Sequence, residues 1–194
     1  MFLLAEVIYL VYDYVRRIIV LEKQILKEMV IQKIKAKKEN VELYSDPEDF
    51  ILNCYLNRTP QSYGALIEKR IIKKNNLKKL KAKYNIGDAE ENKKNKEIKV
   101  SISDNDIFNI VQIRPHADIF SYIIWFFEIT NIGEVQFYCF EIPKKDIMTI
   151  DGLGGAHGTK ESNKEQKNIE YRVSIKKNSN AWFKLQSYKR TMEF

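Results

Sequence analysis

A chain of 194 residues with 44% hydrophobic and 30% charged side chains, 7 glycines and 4 prolines is long enough to close one hydrophobic core, and its balance excludes collagen-like, low-complexity and fully disordered classes. Lysine and arginine number 33 against 26 aspartates and glutamates, a formal charge of +7, which favours a polyanionic partner, nucleic acid or an acidic membrane face. The two cysteines, Cys54 and Cys139, lie far apart with no Cys-x-x-Cys spacing, so no disulfide framework or cysteine-based zinc site is expected.

The opening stretch MFLLAEVIYLV is apolar, but Glu6 and Asp13 interrupt it and neither a basic leader nor a small-residue cleavage pattern is present. A cytoplasmic protein with no membrane partner is expected. Leu4, Ile8, Val11, Val15, Ile18, Ile25 and Met29 follow spacings of four and three, broken where Glu22 takes a seam position. They predict a long amphipathic helix to about Lys38. At ~1.5 Å per residue it would run about 50 Å, so it either packs on a second copy of the chain or kinks into the core of one.

Ser45-Asp46-Pro47-Glu48 predicts the start of a short helix through about Leu56, and Thr59-Pro60 repeats the device. The second helix carries an apolar stripe of Tyr63, Leu66, Ile67 and Ile71, with Glu68 one turn beyond Gly64. A basic run follows from Lys73 to Lys83, after which the period becomes strand-like. YNIGDA (84–89) and KEIKVSI (96–102) predict a hairpin joined by ENKKN, with IFNIVQI (107–113) as the next strand. SYIIWFFEI (121–129) and VQFYCFEI (135–142) predict a second hairpin about Asn131-Ile132-Gly133. A short helix after Pro143, a Gly-rich loop over 151–163, a strand over 169–175 and a last helix capped by Ser179 complete the order. The fold class is α/β (α+β), a central mixed sheet flanked by helices.

Along the strand from Lys96, side chains alternate, so Glu97, Lys99 and Ser101 face one way while Ile98, Val100 and Ile102 face the core. Asp88 lies nine residues before Glu97, on the neighbouring arm of the hairpin. In register, two carboxylates and a lysine converge. Hydrolysis of a phosphodiester needs the charge on the phosphate oxygens neutralised and a nucleophilic water near neutral pH. Magnesium answers both needs through one or two carboxylates, a main-chain carbonyl and the phosphate, and a lysine beside it can orient or deprotonate water.

Gly87-Asp88, eight residues, then Glu97-Ile98-Lys99 resembles the signature of the PD-(D/E)xK nucleases, most of all the type II restriction endonucleases. Gly87 stands where that family usually has proline. The resemblance covers Gln61 to about Ile113 and implies a restriction-endonuclease-like core. It also implies Glu68 as an auxiliary acid, the Ile98 carbonyl as a metal ligand, one or two Mg²⁺ per site, 5′-phosphate ends and a homodimer. Glu-x-Lys occurs three times, at Glu91, Glu97 and Glu165, but only the second is followed by an alternating apolar strand and preceded by an aspartate at hairpin distance.

Residues 1–194 are accordingly read as one nuclease domain, with a helical segment 1–38, a catalytic core 60–142 and a segment 143–194 for packing and DNA contact. DNA contacts are expected from Gln61, Ser62 and Tyr63 at a helix N-terminus, Ser101 on the strand, and Gln112, Arg114 and His116 after the third strand. His157, Thr159 and Lys160 in the Gly-rich loop join them, and the basic run tracks phosphates. His116, His157 and the cysteines lack zinc spacing, no Ser-His-Asp set is evident, and the glycines near 154 form no P-loop. The expected function is Mg²⁺-dependent, site-specific cleavage of double-stranded DNA, with a companion methyltransferase. The alternatives are a repair or recombination nuclease of the same fold and a non-enzymatic nucleic-acid-binding or helical interaction protein.

Overall fold

The computed structural model describes residues 44–81, 86–115, 117–150, 153–154 and 170–194, together with the exposed helical residue Glu28. The long helix expected over 4–38, with its choice between dimer contact and core, lies outside the described residues. Helix α1 (Pro47–Asn57) starts where the Asp46 carboxylate accepts the Asp49 N–H at 2.9 Å, with Pro47 opening the first turn and Glu48 and Asp49 facing the positive end of the helix dipole. It buries Phe50, Ile51, Leu52 and Cys54. Helix α2 (Pro60–Lys74) repeats the logic. Thr59 Oγ1 accepts the Ser62 N–H, and Ile67, Ile71 and Ile72 are buried.

Strands β1 (Lys78–Lys79), β2 (Ala89–Glu91), β3 (Lys94–Ser103), β4 (Ile107–Ile113), β5 (Ser121–Ile129) and β6 (Val135–Pro143) come next. A five-stranded sheet has the order β1-β2-β3-β5-β6, in which β3 and β5 are parallel and the other pairs antiparallel. Helix α3 (Lys144–Ile147), strands β7 (Leu153–Gly154) and β8 (Tyr171–Lys176) and helix α4 (Asn180–Leu185) complete the described elements, with a short 3₁₀ turn over Gln186–Tyr188. Ser179 caps α4 by accepting the Trp182 N–H, as its sequence position predicts.

Strand β5 is buried at all nine positions because both sheet faces are covered. On one face Ile123, Trp125 and Phe127 join α1 and α2, and Phe194 closes this core against all three rings Trp125, Phe127 and Phe137. On the other, Tyr122, Ile124 and Phe126 pack against β4, β8 and α4, where Phe108 stacks on Phe126 at 4.4 Å and on Trp182 at 5.7 Å. A mixed sheet flanked by helices is therefore what the chain forms, with a small second sheet over one face.

Two details differ from the expectation. The hairpin turn is Asn92-Lys93 alone, both at positive φ (51° and 63°), so most of ENKKN is strand and Asp88 lies just ahead of β2. This is the backbone twist that a two-residue hairpin demands. Strand β4 does not extend the main sheet. Residues 104–120 serve as the crossover that a parallel β3–β5 pair requires, and within it β4 pairs with β8 in a three-stranded sheet of order β4-β8-β7. Its Asn109 and Ile107 N–H groups donate to the Ser101 and Ser103 hydroxyls at 3.0 and 3.2 Å, which stitches the two sheets together. No helix among the described residues is long and apolar enough to cross a membrane.

Candidate active site

Strand β2 pairs with β3 only as far as Ala89 opposite Lys96. Asp88 takes over where it ends. Its N–H donates to the Lys96 carbonyl at 2.8 Å, and its Oδ2 accepts the Ile98 N–H at 2.8 Å. A residue in a strand sends its N–H and C=O to the same edge, so the Ile98 carbonyl shares the edge that Asp88 occupies. Gly87 makes this turn feasible. Its φ is +78°, and a Cβ there would lie 2.5 Å from the Lys96 oxygen. Proline, held near φ −65°, does not fit this turn.

Glu97 and Lys99 stand on the face of β3 that carries Tyr122, Ile124 and Phe126 of β5. Lys99 Nζ meets Glu97 Oε1 at 2.6 Å. This is not a solvated strand face: the Lys99 and Glu97 side chains are 14% and 8% exposed. Glu68 comes from α2 and is half-buried. Burial first, then the Asp88 charge, pushes its carboxyl up to about 7, with Glu97 adding to the effect and Lys79 and Lys99 opposing it. Burial and then the Glu97 charge also hold Asp88 above the usual carboxylate range, against the Ile98 N–H, Lys99 and Arg114.

The structure thus brings Glu68, Asp88, Glu97 and Lys99 into one electrostatic neighbourhood. Burial and then neighbouring negative charge raise the Glu68 and Asp88 carboxyls, and a bound cation would relieve both. Among the described residues no group of three or more His, Cys, Asp and Glu side chains is arranged to hold a metal. Two carboxylates and a main-chain carbonyl, the remaining positions left to water and phosphate, are the set that magnesium takes. Asp88, Glu97 and the Ile98 carbonyl match that donor chemistry.

Of the expected DNA contacts, Gln61 is exposed in the first turn of α2, while the Ser62 N–H is already taken by Thr59. Tyr63 packs on the α1–α2 core. Ser101 is 4% exposed and its hydroxyl accepts the Asn109 N–H. Gln112 is exposed at φ 57° on a bulge in β4, a place where strands re-aim side chains. Arg114 pairs through Nε with Glu170 at 2.9 Å and lends positive charge to Asp88. His116, His157, Thr159 and Lys160 lie outside the described residues, as does Lys83. Lys73, Lys74, Lys78, Lys79 and Lys81 are exposed, with Lys78 paired to Glu90 at 3.0 Å. The sequence reading missed Tyr122, which lies directly across from Glu97 and is buried beside that carboxylate and Arg114. A parallel register between distant strands left no local signal for it.

Comparison of the sequence with protein-family models and with curated proteins finds no match to either.

Proposed function

We propose that this protein is a Mg²⁺-dependent DNA endonuclease of the PD-(D/E)xK kind, cutting double-stranded DNA at specific sites as type II restriction enzymes do. The observation that carries the reading is that Asp88, bonded to the Ile98 N–H where β2 ends, lies within the charge field of the Glu97–Lys99 pair on either side of Ile98. Magnesium held by Asp88, Glu97 and the Ile98 carbonyl supplies a Lewis acid for the phosphate and a more acidic water. Lys99 is held by Glu97 and sets a positive charge against the negative charge that builds on the phosphate oxygens. Glu68 gains and loses its proton near neutrality, so it is suited to accept the proton released by the attacking water. Cleavage of this kind leaves 5′-phosphate ends, and a site-specific enzyme of this kind acts as a homodimer beside a protecting methyltransferase.

Incubation of supercoiled plasmid with the protein and MgCl₂ tests the reading. Discrete fragments support site-specific cleavage, and a smear or junction-only cutting indicates a repair or recombination nuclease. Intact plasmid that shifts on a gel indicates a binding protein and overturns the proposal.

A further inference from the structure

Phe120 is 48% exposed where β3 and β5 begin. Its backbone is fixed on both sides. The Phe120 N–H donates to the Asn95 carbonyl at 2.8 Å, and its own carbonyl accepts the Lys144 N–H at 3.0 Å. A large apolar ring is therefore held out to solvent from a rigid sheet end. Lys94 Nζ lies over the ring at 4.1 Å and Lys96 Nζ at 5.0 Å. Lys96 is buried and committed to Ser121 and Glu141, whereas Lys94 is exposed, as are Lys93 on the adjoining turn and Lys145 in α3. Of the acidic groups nearby, Glu141 is taken up by Lys96 and Arg190, and Asp118 is exposed two residues along the chain.

An exposed aromatic ring with the Lys94 ammonium beside it, and Lys93 and Lys145 exposed on the adjoining turn and helix, matches a ligand with a π-face and negative charges on adjoining atoms. A nucleic-acid strand offers both, since a base stacks on the ring while its phosphates draw the lysines. An acidic peptide supplies the charge without the flat face. Exchange of Lys94 from the ring to a phosphate costs little, because the side chain is already in water. Lys94 and Lys96 project from the face of β3 opposite Glu97 and Lys99, so a strand seated on Phe120 lies at the sheet end rather than over the candidate site.

We infer that Phe120 is a stacking platform for an unpaired base, with Lys93, Lys94 and Lys145 on the flanking phosphates. The inference goes beyond the nuclease reading by adding a seat for an unpaired strand apart from the candidate site, and its test needs no cleavage. Binding is followed by fluorescence anisotropy in EDTA, with a short labelled oligodeoxynucleotide as single strand and as blunt duplex. Phe120→Ala is expected to weaken single-strand binding about 5- to 100-fold, with a smaller effect on the duplex and an unchanged melting temperature. Lys94→Ala is expected to lower the salt slope by about 0.7. Equal single-strand affinity of Phe120→Ala and the parent, or no binding by the parent, overturns the platform. A parent that cuts DNA while Phe120→Ala binds as the parent does refutes the platform alone. A parent that binds through Phe120 but never cuts refutes the nuclease reading and leaves the platform standing.

Discussion

Lys99 owes its place to a strand and to the Glu97 carboxylate that it meets at 2.6 Å. The alternation along 96–102 was legible in the sequence, and it does put Glu97 and Lys99 on one face and Ile98 in the core. Their burial was not legible, because it depends on packing between strands that local alternation does not record, such as the parallel β3–β5 pairing. This changes the choice of variant. Alanine at 99 leaves Glu97 buried without its partner, a loss worth about 3–5 kcal/mol when such pairs are broken, whereas Lys99→Gln keeps a hydrogen-bond donor and removes only the charge. Lys99→Gln is expected to lower kcat by about 10²–10³ with KM little changed, measured beside a thermal melt that shows the variant folded. A parental kcat would remove Lys99 from the chemistry.

Glu68 gives a second prediction at this scale. Its carboxyl titrates at about 7 in the folded protein against 4.5 ordinarily, so between those values the folded state binds the extra proton. Stability of the metal-free protein then falls as pH rises through that window. Glu68→Gln lacks the ionising group, so it should gain on the parent in urea midpoint between pH 5 and pH 8. A difference that does not vary with pH would contradict the assignment. Added Mg²⁺ should restore the parent at pH 8 by binding the folded state only.

At the scale of elements, the turn before β2 sets the site. The spacing from Asp88 to Glu97 announced a hairpin, but Asn92-Lys93 at positive φ carries no glycine to mark the turn, so its tightness could not be read. The same limit applied to β4. Its alternation suits a strand in either sheet, and only the parallel β3–β5 register assigns it to the second. The role of Gly87 yields a prediction that runs against family resemblance. Gly87→Pro, which introduces the proline of the PD-(D/E)xK signature, should destabilise the hairpin by more than ~1 kcal/mol and abolish the proposed cleavage, because the φ of +78° and the approach to the Lys96 oxygen exclude it. Gly87→Ala should fail for the same reason, and a stable, active Gly87→Pro would show that the turn is not what seats Asp88.

For the whole molecule, the sheet separates two cores, and the cysteines report on one of them. Cys54 and Cys139 belong to the α1–α2 side, and burial pushes both thiols up to about 12. Neither should react with a thiol reagent until the protein unfolds; rapid labelling of the native protein would contradict the packing. Composition foretold a substantial core, and the apolar run 121–129 foretold a buried strand. Which strand it pairs with, and so which side chains meet Glu97, depends on contacts between distant residues that no local pattern records.

The central claim is that Asp88, Glu97 and Lys99 form one hydrolytic site. Its most direct measurement is digestion of a linear DNA of known sequence with MgCl₂ by the parent and by Lys99→Gln, followed by sequencing of the fragment ends. The account predicts defined 5′-phosphorylated ends from the parent and intact DNA from the variant; intact DNA from both, or equal cutting by both, would contradict it.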